Sequence, residues 1–175
     1  MRLREEVVHD APPAQVWAVL TDAGFQHDVA ERTGAQTWRA AVTDLPGGGR
    51  KVESTRTLRL PDEVPDFARR FVGRAVQLRR VDEWDAPAGD GSVTGRTEVG
   101  AHGVPVTVSG TVSLTPAGPR GARTCSHLDL QIRATVPLVG RRIEQAVGPV
   151  LLAAWRDEQR AGADWLAGQS PPMWG

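Results

Sequence analysis

The chain has 175 residues, with 21 Lys and Arg balanced by 21 Asp and Glu and a formal net charge of zero. That length suits one domain with a well-buried core, and the interspersed charges give no electrostatic footprint for nucleic acid or an anionic membrane. A single cysteine, Cys125, excludes an internal disulfide and a cysteine-rich metal site.

Residues 2–9 (RLREEVVH) predict a first strand, closed by Asp10 and a proline pair. A helix follows: Asp10 is placed to cap it, Pro12 and Pro13 suit its first turn, and Val16, Trp17, Val19 and Leu20 give it an apolar side. A second short helix is expected over about residues 23–33, with Phe25 and Val29 inward, ending near Gly34. From residue 36 the apolar period drops to two, and PGGGR at 46–50, AGDG at 88–91 and PAGPRGA at 116–122 fall at hairpin spacing. Val104, Val106, Val108, Val112 and Leu114 share one strand face, and Leu128, Leu130, Ile132, Ala134 and Val136 repeat the pattern. Such alternation marks an antiparallel sheet with one buried and one wet face.

Between the strands near 50–60 and 75–84, the spacing of Val64, Phe67, Ala68, Phe71 and Val72 predicts a small inserted helix at about 63–72. The last element is a long amphipathic helix from about 140 to 167. Ile143, Ala146, Val147, Val150, Leu151, Ala154, Trp155, Trp165 and Leu166 form its apolar stripe, Gly148 and Pro149 predict a kink, and Gly168 ends it. Glu144, Asp157, Glu158 and Arg160 are expected on its solvated side, and residues 169–175 (QSPPMWG) as a disordered tail. MRLREEVVHD lacks the apolar core of a signal peptide and no window reaches the roughly 18 apolar residues of a membrane span, so a cytoplasmic protein without membrane insertion is expected.

The order strand, two helices, antiparallel strands and long C-terminal helix, with the opening APPAQVWAVLTD, resembles the START-like or polyketide cyclase/dehydrase (SRPBCC) superfamily over residues 1–168. The segments VPDFARRFVG, GVPVTVSGTVSL, VPLVGRRIE and DWLAG, with the isolated Trp84, resemble an uncharacterised branch of it, a domain family of unknown function. The resemblance implies an α+β helix-grip fold: one START-like domain in which about seven curved antiparallel strands surround the long helix and enclose an apolar pocket. Members of the superfamily use that pocket for lipids, hormones, polyketides or protein partners, so fold does not specify function.

On strand parity the cavity is lined by Trp38, Ala40, Val42, Val52, Leu58, Val76, Leu78, Val106, Val108, Leu128, Leu130 and Ile132, roofed by Val147, Leu151 and Trp155. Phe67 and Phe71 either lid the cavity or fill it. Ser54 and Arg56 share the inward parity of Val52 and Leu58. A buried guanidinium needs a carboxylate, carbonyls or an acidic ligand, so Arg56 is a structural ion-pair partner (of Asp82, beside Arg80), a side chain reaching for the rim, or a ligand anchor. His9, His27, His102 and His127 show no metal spacing, and no cofactor is indicated. His27 is placed near the cavity mouth; His127 and Cys125 are expected on the outer face, the cysteine without a partner.

Three functions follow. The leading one is binding of a small hydrophobic molecule, lipid-like or polyketide-like, by a monomer or homodimer. The second is a polyketide cyclase-like enzyme using Arg56 with Asp82 or His27, although tyrosine, a common general acid, is absent. The third is a protein-interaction module whose cavity is incidental.

Overall fold

Period-two patterning produces the strands and period-3.6 patterning the helices in the computed structural model, which describes residues 1–59 and 75–168. The elements are β1 (Arg2–His9), α1 (Pro13–Leu20), α2 (Ala23–Arg32), β2 (Thr37–Asp44), β3 (Arg50–Arg59), β4 (Ala75–Trp84), β5 (Val93–Ala101), β6 (Val106–Ala117), β7 (Arg123–Ala134) and α3 (Gly140–Leu166). The segment expected to form the inserted helix, with Phe67 and Phe71, and the segment 169–175 lie outside the described residues.

The strands form one curved antiparallel sheet in the order β1-β7-β6-β5-β4-β3-β2. Strands β2 to β7 are a meander, and β1 closes the far edge by pairing with β7, where Glu6 lies opposite His127. On the inner face Val108, Val112 and Leu114 of β6 and Leu128, Leu130 and Ile132 of β7 are buried; Leu114 and Ile132 are fully so. The wet-face partners between them are hydrophilic, as the alternation predicts.

Helix α3 covers this face together with α1 and α2. Ile143 and Trp155 are buried, and Val147, Leu151 and Leu166 pack against the same core. Burial contributes roughly 1.5–3 kcal/mol per large apolar side chain, enough for several residues to outweigh the ~3 kcal/mol penalty of an interior proline. The helix accordingly continues through Gly148 and Pro149. The Met1 methyl group lies against Gly148 and would have to swing aside for any larger residue there. Beyond the helix, Gly168 adopts a positive φ of 72°, and its N–H donates to the Trp165 carbonyl.

Three local expectations are corrected. Asp10 does not cap α1: Pro12 occupies that position without a side-chain bond, and Asp10 pairs with Arg123 at 2.9 Å. Val150 is 51% exposed rather than part of the buried stripe. At about 100° per residue it falls to the edge of the buried arc, whose centre runs through Leu151, Trp155, Glu158 and Gly162. Glu158, expected in solvent, is therefore buried at 4% exposure, with Gln159 beside it at 3%.

The C-terminal end of α3 is tied to α2. Trp165 donates its indole N–H to Asp28 at 2.9 Å, Arg32 bridges Asp28 and Asp164 at 2.7 and 2.6 Å, and the Trp165 ring meets Phe25 edge-on at 5.6 Å. No helix among the described residues is long and apolar enough to cross a membrane.

Candidate functional site

Strand parity places Val52, Ser54, Arg56 and Leu58 of β3 on the inner face. Their register partners continue the rows across β4 and β5: Ser54 faces Arg80 and then Val99, while Val52 faces Asp82 and then Thr97. The outcome is an inner sheet surface that is apolar at its ends and ionic at its middle. Position 158 lies seven residues beyond Leu151, on the same side of α3, and brings a carboxylate down onto the centre of that surface.

Arg80 is the hub. Its Nε–H donates to Asp82 at 2.8 Å, and its terminal N–H donates to Glu158 of the overlying helix. Burial alone would lower the affinity of this guanidinium for its proton, but Asp82 and Glu158 outweigh it and hold Arg80 charged more firmly than a free arginine. For Asp82 burial wins: its carboxyl is pushed above the ordinary carboxylate range, only partly offset by Arg80 and by the Thr97 hydroxyl. Arg56 is separate from the hub. It donates to the Gln26 side-chain oxygen at 3.1 Å, and the Gln26 amide is fixed in that sense because its N–H donates to the Leu20 carbonyl at 3.0 Å. Burial makes the Arg56 charge less favourable than in water, opposed chiefly by Glu158.

A cavity of about 110 Å³ lies between these groups and α3. Its floor is Ser54, Arg56 and Leu58 of β3, Leu78 and Arg80 of β4, Thr97 and Val99 of β5, and Leu128 and Leu130 of β7. Thr33 at the end of α2 flanks it, and Leu151, Ala154, Trp155 and Glu158 of α3 roof it. The chamber is smaller than the roughly 300–1,000 Å³ usual for small-molecule sites. A second hollow of about 340 Å³ runs along the β1 edge past His9, Gln159, Arg156 and Arg160. It is larger, and its arginines are engaged by Glu5 at 2.8 Å and Asp157 at 3.3 Å. The chamber beneath α3, lined by Arg56, Arg80 and Glu158, is the better site.

Of the residues predicted from sequence, Ser54, Arg56, Leu58, Leu78, Leu128, Leu130, Leu151 and Trp155 line the chamber. Val106 and Val108 are buried in the core, and Val147 packs against that core, all three away from the chamber walls. Trp38 sits on the outermost strand, 38% exposed, its ring 4.3 Å from that of His27. His27 also pairs with Glu31 at 3.6 Å, on the surface of α2. Asp82 is bound to Arg80 rather than to Arg56. Glu158, the roof over Arg80, is the residue that a polar-means-exposed reading of α3 misses; the signal is its i+7 spacing from Leu151 and i+3 spacing from Trp155.

Elsewhere, His9 is buried and its Nε2 lies 2.9 Å from the Gln159 oxygen, so Nε2 carries the proton. Its Nδ1 has no hydrogen-bond partner among the described residues, and burial lowers its affinity for a second proton. On the outer face, Cys125 does have neighbours: Glu6 and His127 lie beside it.

These features define a helix-grip fold, a curved antiparallel sheet closed over a long C-terminal helix. Residues 5–166 match the family described as "Protein of unknown function (DUF2505)", and the chain belongs to that family. No curated protein matches it. Among solved structures it is similar to the Zhui aromatase/cyclase from Streptomyces sp. R1128, with a TM-score of 0.60 and 14% identity, covering 100% of this chain and 98% of that one. A START superfamily protein from Mycobacterium smegmatis gives 0.55 and 12%, covering 97% and 99%. Norcoclaurine synthase from Thalictrum flavum gives 0.55 and 13%, covering 95% and 86%. At such identities the likeness establishes the fold.

Proposed function

We propose that the chain binds a small hydrophobic molecule bearing one acidic or strongly polar group, with its apolar body against Leu58, Leu78, Leu130 and Leu151 and its polar end toward Arg56. The observation that carries this reading is an arginine on the chamber wall, hydrogen-bonded to the neutral Gln26 amide, while Arg80 takes the two carboxylates, Asp82 and Glu158, that the described residues bring beside it. The similar folds of an aromatase/cyclase and a START superfamily protein support a ligand-holding role.

Charge balance adds detail. Arg56 and Arg80 face Asp82 and Glu158, so the four groups sum to zero when all are ionised. An incoming anion is neutralised if Asp82 takes up a proton, the direction in which burial already pushes it. Binding of an acid should therefore be accompanied by proton uptake. The chamber volume sets a size: a compact acid fits the closed form, whereas a longer chain requires α3 to lift or side chains to repack. Native mass spectrometry of the purified chain against a panel of aromatic and aliphatic acids tests the proposal. Retention of one acid per chain, lost in Ala154→Phe, is expected; no retention by a folded wild-type chain contradicts it.

One observation favours a cyclase-like reading as an alternative: a carboxyl raised by burial and a second carboxylate share Arg80 beside the chamber, a proton source and sink in one place. It predicts turnover of a polyketone substrate that is lost in Asp82→Asn while ligand binding persists.

A further inference from the structure

The outer face of the sheet carries a second constellation, remote from the chamber. Cys125 and His127 are two residues apart on β7 and so point to the same side, and the register of β1 sets Glu6 directly opposite His127. One ligand atom from each of the three lies within 4.8 Å of the others. Thr115 of β6, the register partner of Cys125, completes the group.

The contacts fit a metal ligand set. The Thr115 hydroxyl lies 3.1 Å from His127 Nε2 and 3.2 Å from the Cys125 carbonyl, and it can accept from an Nε2–H while giving its own proton to that carbonyl. In that tautomer the Nδ1 lone pair faces the Glu6 carboxylate, 2.9 Å away, with the Cys125 thiol beside both. A carboxylate, an imidazole nitrogen and a thiol are together the donor set of a borderline-soft dication.

We propose that Glu6, Cys125 and His127 form a surface site for one zinc-class divalent ion, bound through a carboxylate oxygen, the thiolate and imidazole Nδ1, with Thr115 as the positioning residue for the ring. Carboxylate and thiolate neutralise the dication; the thiol proton leaves to solvent, and water takes the fourth position. Tetrahedral zinc with N, O and S ligands sets neighbouring donors about 3.3–3.8 Å apart, as follows from the usual bond lengths. The Glu6 side chain, 69% exposed, has room to swing from its 2.9 Å contact with Nδ1 to that spacing. The Nε2–H to Thr115 bond is the outer-shell contact that fixes the tautomer of a metal-bound histidine.

The test uses the full, tag-free chain, stripped with chelator and titrated with cobalt(II). One equivalent should produce a thiolate-to-cobalt charge-transfer band with tetrahedral visible bands, and zinc should abolish both. Cys125→Ser should remove the charge-transfer band, His127→Gln should weaken binding at least tenfold, and Thr115→Val should keep the band but weaken binding by about 10–100-fold. All three positions lie on the outer face, and unchanged far-ultraviolet circular dichroism verifies folding. The proposal is overturned if no charge-transfer band develops at millimolar cobalt, or if binding is unchanged in Cys125→Ser.

Discussion

The two halves of α3 present different chemistry to the same sheet. The first half lays Ile143, Val147 and Leu151 onto the core, a seam of the kind that any amphipathic helix makes. The second half, still on the buried side, lowers Glu158 onto Arg80 and Gln159 onto His9. Hydrophobic burial suffices to hold a helix on a sheet, so the polar end is the part that stability alone does not require. Buried ion pairs are weak sources of stability and become costly when halved. The proposed binding role accounts for their placement beside the chamber.

The largest expected effect breaks that end. Glu158→Ala leaves Arg80 with Asp82 alone and should destabilise the fold by about 3–5 kcal/mol, read from urea unfolding. Replacing Arg56, Arg80, Asp82 and Glu158 together by Leu, Met, Leu and Leu should recover most of the loss while abolishing acid binding, because an apolar cluster needs no counter-charges. On the apolar half, Ile143→Ala should cost roughly 2–5 kcal/mol through cavity creation and leave binding in the chamber unchanged. A result in which the Glu158 variant is harmless would remove the contrast between the halves.

A pH titration sharpens the contrast further. His9 titrates below 6.5 in the fold because it is buried, so between that lower value and 6.5 the unfolded chain takes up a proton that the folded one refuses. Stability should be full above this window and fall on acidification through it, with a slope of at most about 1.4 kcal/mol per pH unit. His9→Gln should flatten that slope. The smallest effect belongs to Val150→Lys, within about 0.5 kcal/mol of wild type, because the side chain already lies outside the buried arc.

Much of this architecture was legible before any coordinates. Alternation in 106–114 and 128–132 gave the inner faces of β6 and β7, and the parity of Val52 placed Arg56 inward. Parity says which face a side chain takes, however, and not which neighbour it meets. Assigning Asp82 to Arg80 instead of Arg56 needed the register of β3 on β4. Glu158 escapes because polar residues on a helix default to solvent, although at about 100° per residue it lies within about 20° of Leu151 and so inside the buried arc. Trp38 was given the right parity but sits on the sheet's last strand, out of reach of the chamber. The Glu6, Cys125 and His127 group was invisible for the same reason as the ion pairs: a strand near the start of the chain has to be laid beside one more than a hundred residues later.

The central claim is that Arg56 makes the chamber a site for an acid. The most direct measurement is calorimetric binding of a matched pair, benzoate and benzamide, to the wild-type chain and to Arg56→Gln. The account predicts at least a tenfold preference for benzoate, accompanied by proton uptake across buffers of different ionisation enthalpy, and lost in Arg56→Gln. Equal affinity for acid and amide, or a preference that survives the substitution, would contradict it.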